Sequence, residues 1–444
     1  MKLKMVYSGA LLSGYLALAS SSAFAQANPS TPGNPAYLAP AGDTAPNTEV
    51  NGAMTPAPGL NSQPAVQQAQ TESRRPFTVI ASVREQYDDN IYTTHSNKVD
   101  AYETLIEPSI LFNYPLDQTL FSARYDFGAT YYPDRDPSWD LSHQFLARIN
   151  HSFSDRFNID ARDRVLYSNQ PEVTTGATVN RISGDYLNNT FTLQGTADWT
   201  PKFNTVTTYT NDYFHYNDAF QELFNDRDVN VLQHDFRFLL TPTLTFIVGG
   251  TFTDLAYSNT FVPAGSLASS SRDWDSYTGY VGVDYNFTPQ FLAGVRGGGV
   301  LTEYDSLGSQ PVNPYAMAYF NWQLGARSSL QFNYTHTMAA TDLSTYASEI
   351  SDNFSITGRY QFTPKISGSI QGNYNIADDE SDAAFLPGSA NFHEDTLGVA
   401  IGAGYDFTRY LNFNISYTYT DITSDDTFRE YTRNQIALGL TATY

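Results

Sequence analysis

Where a histidine stands beside a hydroxyl along the 444-residue chain, His151-Ser152 is the nearest hint of catalysis and His336-Thr337 a weaker one. Hydrolysis of an acyl bond needs a nucleophile held by a base, so such pairs are where that chemistry would start. Neighbours on a strand point to opposite sides, however, and His151-Ser152 adjoins a tight turn predicted at Ser154, the wrong rim for an enzyme of outer-leaflet lipid. No catalytic residue is expected. Seven scattered histidines and no cysteine leave no metal-ligand spacing, and no cofactor is expected. Two acidic runs, Asp378, Asp379, Glu380 and Asp382 and then Asp421, Asp425 and Asp426, could bridge to lipopolysaccharide phosphates through Mg²⁺ or Ca²⁺. Carboxylates spaced this loosely read more simply as solvated loops.

The other ionisable groups recur at strand spacing. Arg84, Arg124, Arg148, Arg162, Arg164, Arg237, Arg296 and Arg359 are predicted to share one face with Asp126, Asp160, Asp235 and Asp284. On the inside of a barrel they would line a pore and set its selectivity, or pair across strands and stiffen the wall. The pattern is equally consistent with both.

The elements that would position these groups begin after two segments of different texture. Residues 1–25 have the parts of a secretory signal: basic Lys2 and Lys4, an apolar run through Leu11, Leu12, Leu16 and Leu18, and the small-residue site Ala23-Phe24-Ala25. The run is too short and too interrupted for a spanning helix. Residues 26–75, rich in Pro, Ala and Gln, lack the apolar surface that would offset ordering entropy and are expected to be a disordered periplasmic spacer.

From Phe77 to Tyr444, alternating segments of about ten to fourteen residues recur, the length that crosses a bilayer when tilted. Short turns separate half of them, as in Trp199-Thr200-Pro201-Lys202-Phe203 and Phe287-Thr288-Pro289-Gln290-Phe291. Proline presets the turn dihedral, and the flanking rings suit a membrane interface. Longer polar connections alternate with these turns, among them Asn169–Ser183, a candidate inward loop by length, Asn217–Asp228 and Ser258–Arg272. Eight turns and nine loops predict an all-β fold: a transmembrane antiparallel up-and-down barrel of about 18 strands over residues 76–444. A propeller would pack four short strands into the same repeat and carry a Gly-His to Trp-Asp signature, which is absent.

Faces follow from alternation. Phe121, Ala123, Tyr125 and Phe127 face lipid, as do Phe145, Ala147 and Ile149, while Gln144, Arg148 and Asn150 face inward. Asp163 breaks the pattern by falling on the lipid side, where a bulge or a strand end would relieve it. The last segment puts Ile436, Leu438, Leu440 and Tyr444 on one face and ends on an aromatic, similar to the signal by which barrel-assembly machinery recognises its clients. A net charge of −22 with no basic cluster argues against nucleic acid as a partner. Without cysteine there is no lipid attachment and no disulfide framework.

Arg84-Glu85-Gln86-Tyr87-Asp88-Asp89-Asn90-Ile91-Tyr92, at the end of the first strand, together with the repeated Thr-Pro hairpins, resembles β-barrel porin family 2, bacterial outer-membrane barrels associated with exopolysaccharide systems. The resemblance spans about Phe77 to Tyr444. It implies a passive outer-membrane channel or an accessory of exopolysaccharide export. Outer-membrane lipid, lipopolysaccharide and polysaccharide would then be its partners. The alternative is a plugged structural or surface-binding barrel that transports nothing. A plug-bearing transporter would need a domain larger than residues 26–75.

Overall fold

A computed structural model describes residues 76–135, 138–169, 173–175, 178–180, 185–258, 272–305, 308–309, 312–325, 327–339, 341, 343, 346, 348–379 and 391–444. The expected signal, the spacer, Glu380, Asp382 and most of Asn169–Ser183 lie outside them.

Alternating sequence produces long strands here because each turns one apolar row outward and one polar row inward. In chain order they are β1 (Phe77–Asp88), β2 (Ala101–Pro115), β3 (Thr119–Tyr131), β4 (Trp139–Ser154), β5 (Phe157–Ser168), β6 (Tyr186–Thr200), β7 (Phe203–Tyr216), β8 (Arg227–Thr241) and β9 (Leu244–Tyr257). Then follow β10 (Trp274–Thr288), β11 (Phe291–Tyr304), β12 (Asn313–Gln323), β13 (Ser328–Ala339), β14 (Glu349–Thr363), β15 (Ile366–Asp379), β16 (Phe392–Thr408), β17 (Leu411–Ser424) and β18 (Tyr431–Thr443). Each is antiparallel to its neighbours, and β1 pairs with β18 from Ile80↔Thr443 to Asp88↔Gln435. The result is a closed 18-strand barrel, which has no free edge to leave unpaired in lipid.

Eight tight turns gather at one end. Proline is not their only device: the Thr200, Thr241, Thr288, Thr363 and Thr408 hydroxyls each accept the amide hydrogen two residues on, at 3.1–3.3 Å. Ser154 does the same for Arg156. This side-chain turn serves Thr408-Arg409 as well as the Thr-Pro hairpins. The turn after β12 instead uses Gly325 at φ +74°, where a Cβ would be strained.

The strand pairings set the faces. Along β1, Phe77, Val79 and Val83 are exposed while Thr78, Ile80, Ser82 and Arg84 are buried. At the short-turn rim, outward Phe153, Trp199, Phe287, Phe362 and Phe407 form an aromatic girdle, with Phe157–Trp199 and Phe287–Phe291 ring contacts. Toward the long-loop rim the outward rings are tyrosines whose hydroxyls find polar partners, Tyr125 with His143, Tyr209 with Asn230, Tyr334 with Asp352 and Tyr417 with Asn434.

Asp163 needs correction, since neither a bulge nor a strand end relieves it. The register runs unbroken through Ala147↔Asp163 and Asp163↔Phe191, and the outward carboxylate accepts a 2.7 Å hydrogen bond from Asn189 Nδ2 on β6. Satisfying the group locally replaces moving it. A second correction concerns Asn217–Asp228: Arg227 and Asp228 already belong to β8, and the connection contains a helix, α1 (Ala219–Asn225).

Candidate functional site

The inner wall is where polar chemistry collects. All eight arginines singled out in the sequence, and Asp126, Asp160, Asp235 and Asp284, fall on the inward register positions: Arg84 opposes Gly439, Arg124 opposes Leu146, Arg148 opposes Arg162, Arg237 opposes Ile247, Arg296 opposes Gly282 and Arg359 opposes Ser369. Among the described strands, every arginine is turned inward. The structure divides them into different environments.

On β1–β5 they form a ladder. Arg84 grips Glu107 with both Nε (3.1 Å) and an Nη (2.6 Å), Arg124 Nε donates to Asp126 at 2.8 Å, and Ser109 on β2 also donates to Asp126. Arg148 Nε and Arg162 Nε each donate to Asp160 at 2.8 Å. Arg164 turns to Asn188 and Thr190, which themselves donate to buried Asp212. Two of these pairs, Arg124–Asp126 and Arg162–Asp160, lie within one strand at i, i+2, rather than between neighbouring strands.

On β8–β12 the arginines are sealed. Asp235 accepts from Tyr280 Oη (2.5 Å) and Arg237 (3.2 Å), with Arg296 at 3.8 Å, and Asp284 accepts from Tyr319 Oη at 2.6 Å. Tyr280, Tyr315, Tyr319, Ile247, Val300 and Met317 pack over them as one buried cluster. The rings lie flat because glycines face them: a Cβ at Gly249 would fall 2.6 Å from Tyr280 Cε2, and one at Gly294 would fall 2.6 Å from Tyr319 Cζ.

A second seal closes this side toward the long loops. Val229, Val231, Leu255, Tyr257, Trp274, Tyr304 and Met338 form an apolar cluster reaching from β8 to β13. Arg272, 1% exposed, stacks on the Tyr257 ring at 4.2 Å and donates to the carbonyls of Phe224 (3.0 Å) and Thr341 (2.7 Å). Those carbonyls belong to the β7–β8 and β13–β14 connections, six strand spacings apart along the wall, or roughly 29 Å. One guanidinium can reach both only if Phe224 and Thr341 come together over the mouth. Next to it, burial and nearby Asp305 and Asp254 push the Asp273 carboxyl up to about 6, although it accepts the Tyr257 amide hydrogen at 2.9 Å. Sequence reasoning missed this pin; nothing in the pattern marks Arg272 apart from its place before an alternating run.

β13–β15 carry one inward arginine, Arg359, on a wall otherwise made of amides and hydroxyls along its middle. Asn333 and Gln371 face inward yet stay exposed, beside Asn353, Ser355 and Asn373. Open inner surface therefore faces β3–β5 from nearly the opposite side of the ring.

The motif after Arg84 serves closure. Asp88, fully buried, accepts from Arg433 Nε (2.7 Å) and Gln435 Nε2 (2.9 Å); Asp89 accepts the Asn434 amide hydrogen at 2.7 Å; and Asn90 Nδ2 donates to the Thr432 carbonyl at 3.0 Å. Residues 76–444 match the family described as "Putative beta-barrel porin 2". The chain belongs to this family. For this β-barrel porin 2 member, the Asp-Asp-Asn segment is the seam between first and last strands.

No curated protein matches the sequence. Solved barrels of similar outline include OccK2 (OpdF) of Pseudomonas aeruginosa, 10% identical over 83% of this chain and 98% of that one at a TM-score of 0.44. OccAB4 of Acinetobacter baumannii is 11% identical over 83% and 98% with a TM-score of 0.42. The siderophore receptor PirA of Pseudomonas aeruginosa is 9% identical over 84% and 81% with a TM-score of 0.42.

The remaining sequence candidates are scattered over this family member. His151 faces outward on Thr119 (2.8 Å) and edge-on to Phe153, whereas Ser152 accepts from Asn158 on the inner face. His336 faces outward with Asp352, and Thr337 is buried. Asp378 and Asp425 both serve His393, Asp426 caps Phe428, and among the described residues no three acids or histidines converge on a metal position. Ile436, Leu438 and Leu440 are exposed on the outward face of β18, and Tyr444, one residue past its end, is exposed and exchanges backbone hydrogen bonds with Val79.

Proposed function

We propose that the chain is exported, inserted into the bacterial outer membrane by its barrel-assembly machinery with β18 as the recognised strand, and acts there as a narrow passive channel for small polar solutes. The observation that carries the reading is the inner wall between β3–β5 and β13–β15. Its arginine and amide side chains stay open to solvent inside a closed ring of 18 strands, a size that wall side chains alone do not fill. The outer girdles support immersion in lipid, and lipopolysaccharide would meet the tyrosine-rich long-loop rim.

A plugged, non-conducting barrel is the second reading, favoured by the Arg272 pin and the apolar cluster under it. Among the described residues, no open aromatic face supports the exopolysaccharide association. Every aromatic ring turned inward on a described strand is buried, Tyr280, Tyr315 and Tyr319 among them, so none offers an open face to a sugar. Planar-bilayer recording of the refolded barrel separates the two readings: stepwise, steady conductance supports the channel, and a correctly folded but silent barrel supports the plug.

A further inference from the structure

Like charges placed directly opposite each other on neighbouring strands repel, and β4 and β5 do this with Arg148↔Arg162. A single carboxylate, Asp160, lies between the two guanidiniums, and Asn150 Nδ2 also donates to it at 3.0 Å. The wall therefore occupies the acceptor. Asp160 is 5% exposed, whereas the two arginine side chains keep 17% and 22% of their surface open to the lumen. One row nearer the long loops, Arg124 and Arg164 flank Leu146 on the same face. Among the described residues, three adjacent strands thus carry four guanidiniums against Asp126 and Asp160, with Asp212 hydrogen-bonded to Asn188 and Thr190, the partners of Arg164.

We propose that Arg124, Arg148 and Arg162 form an anion-binding step on the solute path, selecting small solutes that carry carboxylate or phosphate. The inference rests on the channel reading. Guanidinium forks match such groups in plane, and a solute passing here meets cations while the carboxylates stay behind them. The facing wall sets Asn333, Asn353 and Gln371 beside inward Arg359 and leaves that preference standing. Of the acids toward the long-loop mouth, Glu349, Asp379 and Glu394 lie at the far ends of their strands, Glu394 is held by Arg429 at 2.7 Å, and Asp88 and Asp140 are paired with Arg433 and Arg135.

Reversal potentials of the reconstituted full-length barrel in a KCl gradient test it. Wild type is expected to pass Cl⁻ over K⁺. Arg162→Gln, which leaves Arg148 and Asp160 as a neutral pair, is expected to lower the Cl⁻/K⁺ permeability ratio about two- to fivefold, and Asp160→Asn to raise it. Arg124→Gln should act like Arg162→Gln and replaces it if that barrel does not fold. Ratios unchanged in conducting variants, or a cation-preferring wild type, overturn the anion step while the channel stands. A folded wild-type barrel that conducts nothing overturns the channel reading and the anion step with it.

Discussion

Asp88 accepts the Arg433 Nε hydrogen at 2.7 Å across the seam where β1 meets β18, 345 residues away in sequence. Asp88 is fully buried, and a second Arg433 nitrogen stands 2.5 Å from the same oxygen. Removing one member of such a pair leaves a charge desolvated without its counter-charge. Asp88→Ala should lower stability by about 3 kcal/mol or more, read as an earlier midpoint in urea for the heat-modifiable gel band. Asp117→Ala in an exposed turn should not move it. Equal midpoints for both would remove the clasp role.

Arg272 ties two distant connections to the wall, so Arg272→Ala should free them without touching the barrel. The expected outcome is larger single-channel conductance together with new protease cleavage near Thr341, at unchanged gel mobility. Unaltered conductance and an unaltered cleavage pattern would show that the connections hold their place by other contacts.

Gly294 leaves room for the Tyr319 ring, and Tyr319 in turn donates to Asp284. Gly294→Ala alone should cost about 1–3 kcal/mol, because ring and carboxylate must both shift. In a Tyr319→Ser background the same substitution should cost far less, and a double-mutant cycle reads the difference. Additive effects would mean the ring and the glycine are not coupled.

Asp273 gives the loop cluster a pH dependence whose sign can be worked out. Its carboxyl ionises near 6 with the loops closed, against an ordinary value of 3.8 when they are open. The closed form therefore holds the proton more tightly, and its advantage is complete below about pH 4 and is lost as pH rises through about 6. Hydrogen exchange at the Tyr257 and Trp274 amides, corrected for intrinsic rate, should show stronger protection at pH 5 than at pH 7. Asp273→Asn should flatten the profile; a wild-type profile already flat over that range would rule the mechanism out.

The order of strands, their number and the faces of the strands read from alternation were legible in the sequence because a barrel wall is a one-dimensional code. Alternation of period two assigns lipid and lumen, and a one-residue slip would expose arginine to lipid, so Arg124, Arg148 and Arg237 could be placed inward from their neighbours alone. Asp163 broke that code and found its partner on another strand; only the pairing with β6, which brings Asn189 within reach, shows how it is satisfied.

What the tertiary structure decided is which inward groups stay open. Arg148 and Arg296 look alike in sequence, each an arginine in an alternating run. Closing the ring covers Arg296 with Tyr280, Tyr315 and Tyr319 from β10 and β12 while leaving Arg148 accessible. The reach of Arg272 across the mouth and the use of Asp88 at the seam are likewise contacts between residues far apart along the chain. Local pattern fixes the direction in which a side chain points, because that depends on strand geometry; what it meets there depends on which distant strands the closed sheet brings beside it.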